Sequence, residues 1–248
     1  MSGRLGAWLR RALAGRGLQV RRLPRALLDD QEAELRLTLD HVVAHHLART
    51  LPGEFFFVQV GAFDGRHNDP LHDLVVRHRW RGLLVEPQRE AFHDLVQTYA
   101  DQPQLVLRNV AVAERSGSRE LFKIARHREG LPYWAAQLAS FQRETLLAHR
   151  DVIPDIEELI EIEIVECTTF EDVLAPLAPE RIDLLQIDAE GFDDELVRLF
   201  HATGRTAEIL CFEHKHLGRR RHDACCADLV ERGYRLALSG PDTIAYRG

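Results

Sequence analysis

The chain has 248 residues, 45% of them hydrophobic and 29% charged, with a formal net charge of −7. This is an ordinary globular balance, long enough for one large domain or two small ones. No apolar run approaches the roughly 20 residues of a membrane helix, no signal-peptide core precedes a small-residue cleavage site, and the cysteines lack metal-ligand or disulfide-framework spacing, which points to reduced thiols in a cytosolic protein.

Residues 1–28 hold seven arginines and no acid, so the rest of the chain is more acidic than the total. Such a basic, Leu- and Trp-containing start suits a solvated helical extension, or a peripheral contact with an anionic membrane or a protein partner. The acidic body lacks a recurring basic-aromatic pattern, which argues against nucleic acid. Residues 29–50 read as an amphipathic helix ended by Pro52-Gly53. The chain thus divides into a helical extension, 1–50, and a larger domain, 51–248.

Within that domain strands and helices alternate. "FFFVQV" (55–60) is a buried strand and 69–79 a helix. "RGLLVE" (81–86) is a strand and 88–100 a helix. Strands follow at 104–112 and 119–124. "IEIEIVECTTF" (160–170) alternates as a strand at a sheet edge or in an insertion, and "FEDVLAPL" is a short helix. "IDLLQID" (182–188), a helix at 193–200, "AEILCFEH" (207–214), a helix at 221–233 and a terminal hairpin complete the chain. This rhythm predicts an α/β fold with a doubly wound, mostly parallel sheet, and the hairpin adds an antiparallel strand at one edge. Residues 125–159 break the rhythm and read as a lid or substrate-binding insertion.

In such sheets ligands sit at the carboxyl ends of the strands. After the first strand comes "GAFDG", in which Gly61 and Gly65 let the backbone approach a ligand. Its G-x-x-x-G spacing lacks the third glycine of a dinucleotide fingerprint. Glu86 ends the second strand, about 21 residues past Gly65, where a carboxylate accepts hydrogen bonds from the ribose of an adenosine. The third strand ends at Asn109, with Val110 and Ala111 beside it, and an Asn suits either an adenine edge or a turn. The fourth ends in "QIDAEGFD", which clusters Asp188, Glu190 and Asp193 for capping or for catalysis. The fifth brings Glu213, His214 and His216 to the same rim.

These segments ("FVQVGAFDG", "LLVEP", "NVAV", "TTFEDVL", "IDLLQIDAEGFD" and "ILCFEH") together resemble the FkbM-type S-adenosylmethionine-dependent methyltransferases, over about residues 53 to 247. The resemblance implies a class I Rossmann-like fold with a seven-stranded sheet. It also implies methyl transfer from S-adenosylmethionine to a hydroxyl of a sugar, glycan or other natural product. On this reading Gly61, Ala62, Asp64 and Gly65 form the cofactor loop. Glu86 and Pro87 flank the ribose, and Asn109, Val110 and Ala111 the adenine. Asp188, Glu190 and Glu213 form the active-site rim. Gln186 stands where many members have Lys, and Phe63 where they have a small or polar residue.

An acceptor alcohol must lose its proton. His214 or Asp188 can serve as base, or a divalent metal (Mg²⁺ or Mn²⁺) on Asp188, Glu190 and Glu213 can lower the hydroxyl's pKa. Tyr133 and Trp134 offer flat faces to a sugar ring, or else pack the insertion. Two other readings stand beside this one: a nicotinamide-dependent sugar oxidoreductase, disfavoured by the missing glycine, and a non-catalytic Rossmann-like subunit of a biosynthetic complex.

Overall fold

The computed structural model describes residues 38–50, 53–125 and 131–247. The expected contact through the Arg-rich start falls on residues outside this range.

The first described helix, α1 (Leu39–Leu47), buries Leu39, Val42 and Val43, spaced to share one face. These join Phe55, Phe57, Leu84, Leu184 and Ile209 in one core layer. Asp183, fully buried, fastens the helix. It accepts from His46 Nε2 at 2.7 Å and from the Phe56 N–H at 2.9 Å, and Arg181 lies 2.7 Å away. Through these contacts α1 packs on the sheet.

The central sheet contains β1 (Phe56–Val60), β2 (Arg81–Val85), β3 (Leu105–Arg108), β8 (Ile182–Ile187), β9 (Ala207–Glu213), β10 (Arg235–Ser239) and β11 (Asp242–Tyr246). Its order is β10-β11-β9-β8-β1-β2-β3. The pairs from β9 through β8, β1 and β2 to β3 are parallel. The terminal hairpin sits at one edge and adds the expected antiparallel strand: β11 pairs antiparallel with both β9 and β10, one place in from the edge. A hairpin sequence does not say which arm joins the sheet. The mostly parallel seven-stranded sheet is Rossmann-like, as expected.

Alternation along the buried strands feeds two cores. Phe56, Val58 and Val60 face one side with Phe170, Leu196 and Phe200. Phe57 and Phe55 face the other, with α1, α2 (His72–His78) and α3 (Arg89–Thr98). Burying each such side chain stabilises the fold by about 1.5–3 kcal/mol.

The strand expected over 104–112 is two strands. After β3 the chain leaves the sheet, and β4 (Ala111–Val112) pairs with β7 (Ile160–Thr168) in a second sheet. That sheet runs β4-β7-β5-β6, with β5 (Gly117–Ile124) antiparallel to β7 along its full length and to β6 (Ala139–Ser140) at its end. Within the irregular region, a 3₁₀ turn (Tyr133–Gln137), α4 (Arg143–Leu147) and α5 (Ile156–Leu159) enclose a small core of Ile124, Leu138, Leu146, Ile153 and Ile156. The remaining helices are α6 (Phe170–Leu174), α7 (Asp193–Ala202) and α8 (Arg219–Glu231). All four cysteines are free thiols. Among the described residues no helix is long and apolar enough to cross a membrane.

Candidate active site

A cavity of about 360 Å³ opens at the carboxyl ends of β1, β2, β8 and β9, roofed by residues 134–141. That size suits a small molecule. Gly61, Ala62, Glu86, Pro87, Val110, Ala111, Trp134, Asp188, Glu190 and Glu213, all expected at a site, line it. Asp64, Gly65, Asn109 and His214 do not line it. The side chain of Tyr133 lies outside the described residues.

The two loop glycines serve contacts within the protein. A β-carbon on Gly61 would sit 1.8 Å from the Asp188 carbonyl oxygen, and one on Gly65 would sit 2.5 Å from Leu95 and Tyr99. The backbone N–H groups of this loop bond within the protein as well. Those of Gly61 and Ala62 donate to the Val85 carbonyl, that of Gly65 to Ala62, and those of Arg66 and His67 to Asp64. Asp64 therefore ties its own turn. Phe63 holds a left-handed φ of 47°, and its N–H donates to Glu86 Oε2 at 2.8 Å.

Glu86 is buried, and its Oε1 accepts the Gln88 N–H at 2.8 Å. Asn109 donates Nδ2 to the carbonyls of Glu86 and Pro87 at 2.8 and 3.0 Å. It braces the acid's backbone and keeps clear of the cavity. Four more wall residues, Gln59, Asp69, Gln88 and Gln186, each carry a buried oxygen with no partner. Buried polar atoms are nearly always bonded, which makes four unbonded acceptors on residues of one wall unusual. Burial pushes the Asp69 carboxyl up, against bonds from the Leu71 N–H and Gln59. Sequence reasoning passed over Gln59 and Asp69. A Gln inside an otherwise apolar buried strand was the available signal.

The acidic end is built from the β8–α7 turn and the end of β9. Asp193 accepts from the N–H groups of Ala189 and Gly191, and burial raises it to about 8. It is the capping acid of the group. Asp188 opens onto the cavity, and among the described residues its carboxylate has no hydrogen-bond partner. Enclosure by protein, then the charges of Glu190, Asp193 and Glu213, push it well above the usual carboxylate range. Burial, then Glu190, raises Glu213 to about 7. Burial raises Asp242, the cross-strand partner of Glu213, to about 6.

The expected base His214 points elsewhere. Its Nδ1 shares a hydrogen bond of 3.0 Å with Thr243 Oγ1, and its ring stacks on His222. Strand alternation turns it away from Glu213. The chain then turns, and His216 comes back, with Nε2 2.9 Å from Glu190 Oε2 and 3.5 Å from Glu213 Oε2. Burial alone would lower this imidazole, but contact with Glu190 and the charges of both carboxylates outweigh it and raise it.

No curated protein matches this sequence. Among solved structures, methyltransferase FkbM from Methylobacillus flagellatus KT has a TM-score of 0.45 at 13% identity, covering 90% of this chain and 48% of that chain. This chain thus spans about half the length of that protein. The METTL16 MTase domain (crystal form 2) has a TM-score of 0.48 at 12% identity, over 96% of this chain and 76% of that chain. A methyltransferase from Geobacter sulfurreducens has a TM-score of 0.41 at 14% identity, over 100% and 96%. The family described as the methyltransferase FkbM domain matches residues 59–215, from the middle of β1 to just past the end of β9. That span is well over half of the sequence and holds most of the cavity wall, and the chain belongs to the FkbM methyltransferase family.

Proposed function

We propose that this protein transfers a methyl group from S-adenosylmethionine to a hydroxyl of a sugar, glycan or other natural product. One observation carries the reading: the acceptor oxygens of Gln59, Asp69, Gln88 and Gln186 belong to residues that line one cavity with Glu86. All are acceptors. They complement a ligand bearing ribose hydroxyls, an exocyclic amine and an α-ammonium, which are all donors. When bound, the cofactor supplies an electrophilic sulfonium methyl, whose C–S bond breaks with its electron pair left on sulfur as an acceptor oxygen attacks.

The remaining work falls to the chain. Glu86 holds the ribose end while its backbone is braced by Asn109. Asp188, unpaired and facing the cavity, receives the acceptor's proton. Residues 134–141 cover the reacting centre and exclude water. Trp134 offers its ring to the acceptor. The carboxylates of Asp188, Glu190, Glu213 and Asp242 on the wall favour a neutral or cationic polyol over an anionic acceptor. The nicotinamide reading loses ground to the family match.

The test is calorimetry with S-adenosylhomocysteine, followed by radiolabelled methyl transfer to a panel of hydroxylated sugars and glycans. Binding followed by label on an acceptor oxygen is expected. Binding without transfer to any hydroxyl would remove the acceptor class, and no binding would remove the cofactor.

A further inference from the structure

Glu190, Glu213 and His216 place three potential ligand atoms within 4.8 Å of one another. They differ in one member from the metal set expected from the sequence, with His216 in the place given to Asp188. From this geometry we propose that Glu190, Glu213 and His216 bind a divalent transition-metal ion, of the Mn²⁺ or Zn²⁺ kind, at the rim of the cavity.

The first argument is the state of the three atoms. Glu190 Oε2, Glu213 Oε2 and His216 Nε2 are all buried, and none makes an aligned hydrogen bond. The His216 side chain is only 10% exposed, and Nε2 points into the group. A plain ion pair would aim the ring N–H along the line to one carboxylate oxygen. Here Nε2 lies 2.9 Å from one oxygen and 3.5 Å from the other, placed between the two carboxylates. Three potential donor atoms converging within 4.8 Å can be shared by one cation. Donors held about 2.1 Å from one ion at octahedral or tetrahedral angles stand about 3.0–3.4 Å apart, close to these separations.

The second argument is the turn that carries Glu190. Its φ is 46°, left-handed for a residue with a side chain. Such strain persists where the surroundings enforce it. They do so here from three sides. Ser140 Oγ donates to the Glu190 carbonyl at 2.9 Å, the Gly191 N–H donates to Asp193 at 3.0 Å, and Arg221 Nη2 donates to the Gly191 carbonyl at 3.0 Å. Thus the turn is fixed before any ion arrives, with the Glu190 carboxylate aimed at His216.

The donor set chooses the ion. Two carboxylates suit Mg²⁺, Ca²⁺ and Mn²⁺, and an added imidazole shifts preference toward first-row transition metals. Three protein ligands leave coordination positions open, and Glu190 and Glu213 both line the cavity. An acceptor oxygen taking an open position would be acidified there. That role rests on the methyl-transfer reading, but ion binding does not.

The test measures the ion alone, on the full chain without a histidine tag. Mn²⁺ is titrated and the free ion followed by electron paramagnetic resonance, with thermal melting in parallel. One Mn²⁺ per chain is expected, with a rise in melting temperature. Glu190→Gln, Glu213→Gln and His216→Ala should each weaken binding at least tenfold and lose the rise. The apo melting temperatures show whether each variant is folded. No bound Mn²⁺ at millimolar metal, or equal binding in the three folded variants, overturns the proposal. S-adenosylhomocysteine binding to the same samples is read separately, so failure of the metal site is distinct from failure of the methyl-transfer reading.

Discussion

Gly61 and the carbonyl of Asp188 are so close that a β-carbon on Gly61 would lie 1.8 Å from that oxygen. The end of β1 is thereby locked onto the end of β8, and the Asp188 N–H completes the lock by donating to the Val60 carbonyl at 2.9 Å. The glycine brings the Asp188 carboxylate to the cavity.

Gly61→Ala should cost about 3 kcal/mol or more of stability, from backbone overlap added to a left-handed φ. Gly204, with φ of 75° and open space around it, is the control. Gly204→Ala should cost only about 1 kcal/mol. Urea unfolding measures both, and equal losses would show that the β1–β8 approach is relaxed.

His201 predicts an acid-sensitive window. Its ring is buried without a hydrogen bond, and burial lowers it to about 4. The unfolded chain takes up this proton below about pH 6.5, the folded one only below about 4. Stability from this group is therefore full above pH 6.5 and falls by about 3 kcal/mol as the pH drops through that window. In His201→Leu that part of the slope should vanish. A variant with the wild-type slope between pH 6.5 and 4 would assign the effect to other groups.

Asp183 likewise loses its stabilising effect as the pH falls. Burial pushes it up, and His46, the Phe56 N–H and Arg181 outweigh that and lower it. A depressed carboxylate stabilises above its unfolded value, about 3.9, and ceases to as the pH falls through the still lower folded value. Asp183→Ala should cost about 3 kcal/mol at pH 7 by stranding His46 and the Phe56 N–H. The difference from wild type should shrink below about pH 4. A loss at pH 7 under half of that figure would mean α1 is held by its apolar face alone.

Trp134 lines the cavity, and its ring lies 5.7 Å from that of His149. Trp134→Ala should raise the acceptor KM about tenfold and leave S-adenosylhomocysteine affinity unchanged. Equal loss of both would make the ring a packing element of the insertion.

Much of this arrangement was legible in the sequence. Five consecutive buried residues, Phe56 to Val60, could only be an interior strand, and Glu86 at the end of β2 followed from counting. The spacing of Leu39, Val42 and Val43 gave a helix face. Other features depended on contacts that no local pattern encodes. The break between β3 and β4 follows from Asn109 turning to bond Glu86 and Pro87, and a turn Asn and a ligand-facing Asn read alike. The glycines of "GAFDG" signalled close approach, but the approaching atoms were protein atoms. His214 and His216 could be ranked only once the chain was seen to turn after Glu213.

The central claim is that the acceptor-lined cavity binds the adenosyl cofactor through Glu86. Titration calorimetry with S-adenosylhomocysteine, on wild type and on Glu86→Ala shown to be folded by circular dichroism, tests it most directly. We expect one molecule bound per chain, and a loss of about 1.5–3 kcal/mol in the variant, the worth of hydrogen bonds to a charged group. Absence of binding by wild type, or equal affinity in the two folded proteins, would contradict the claim.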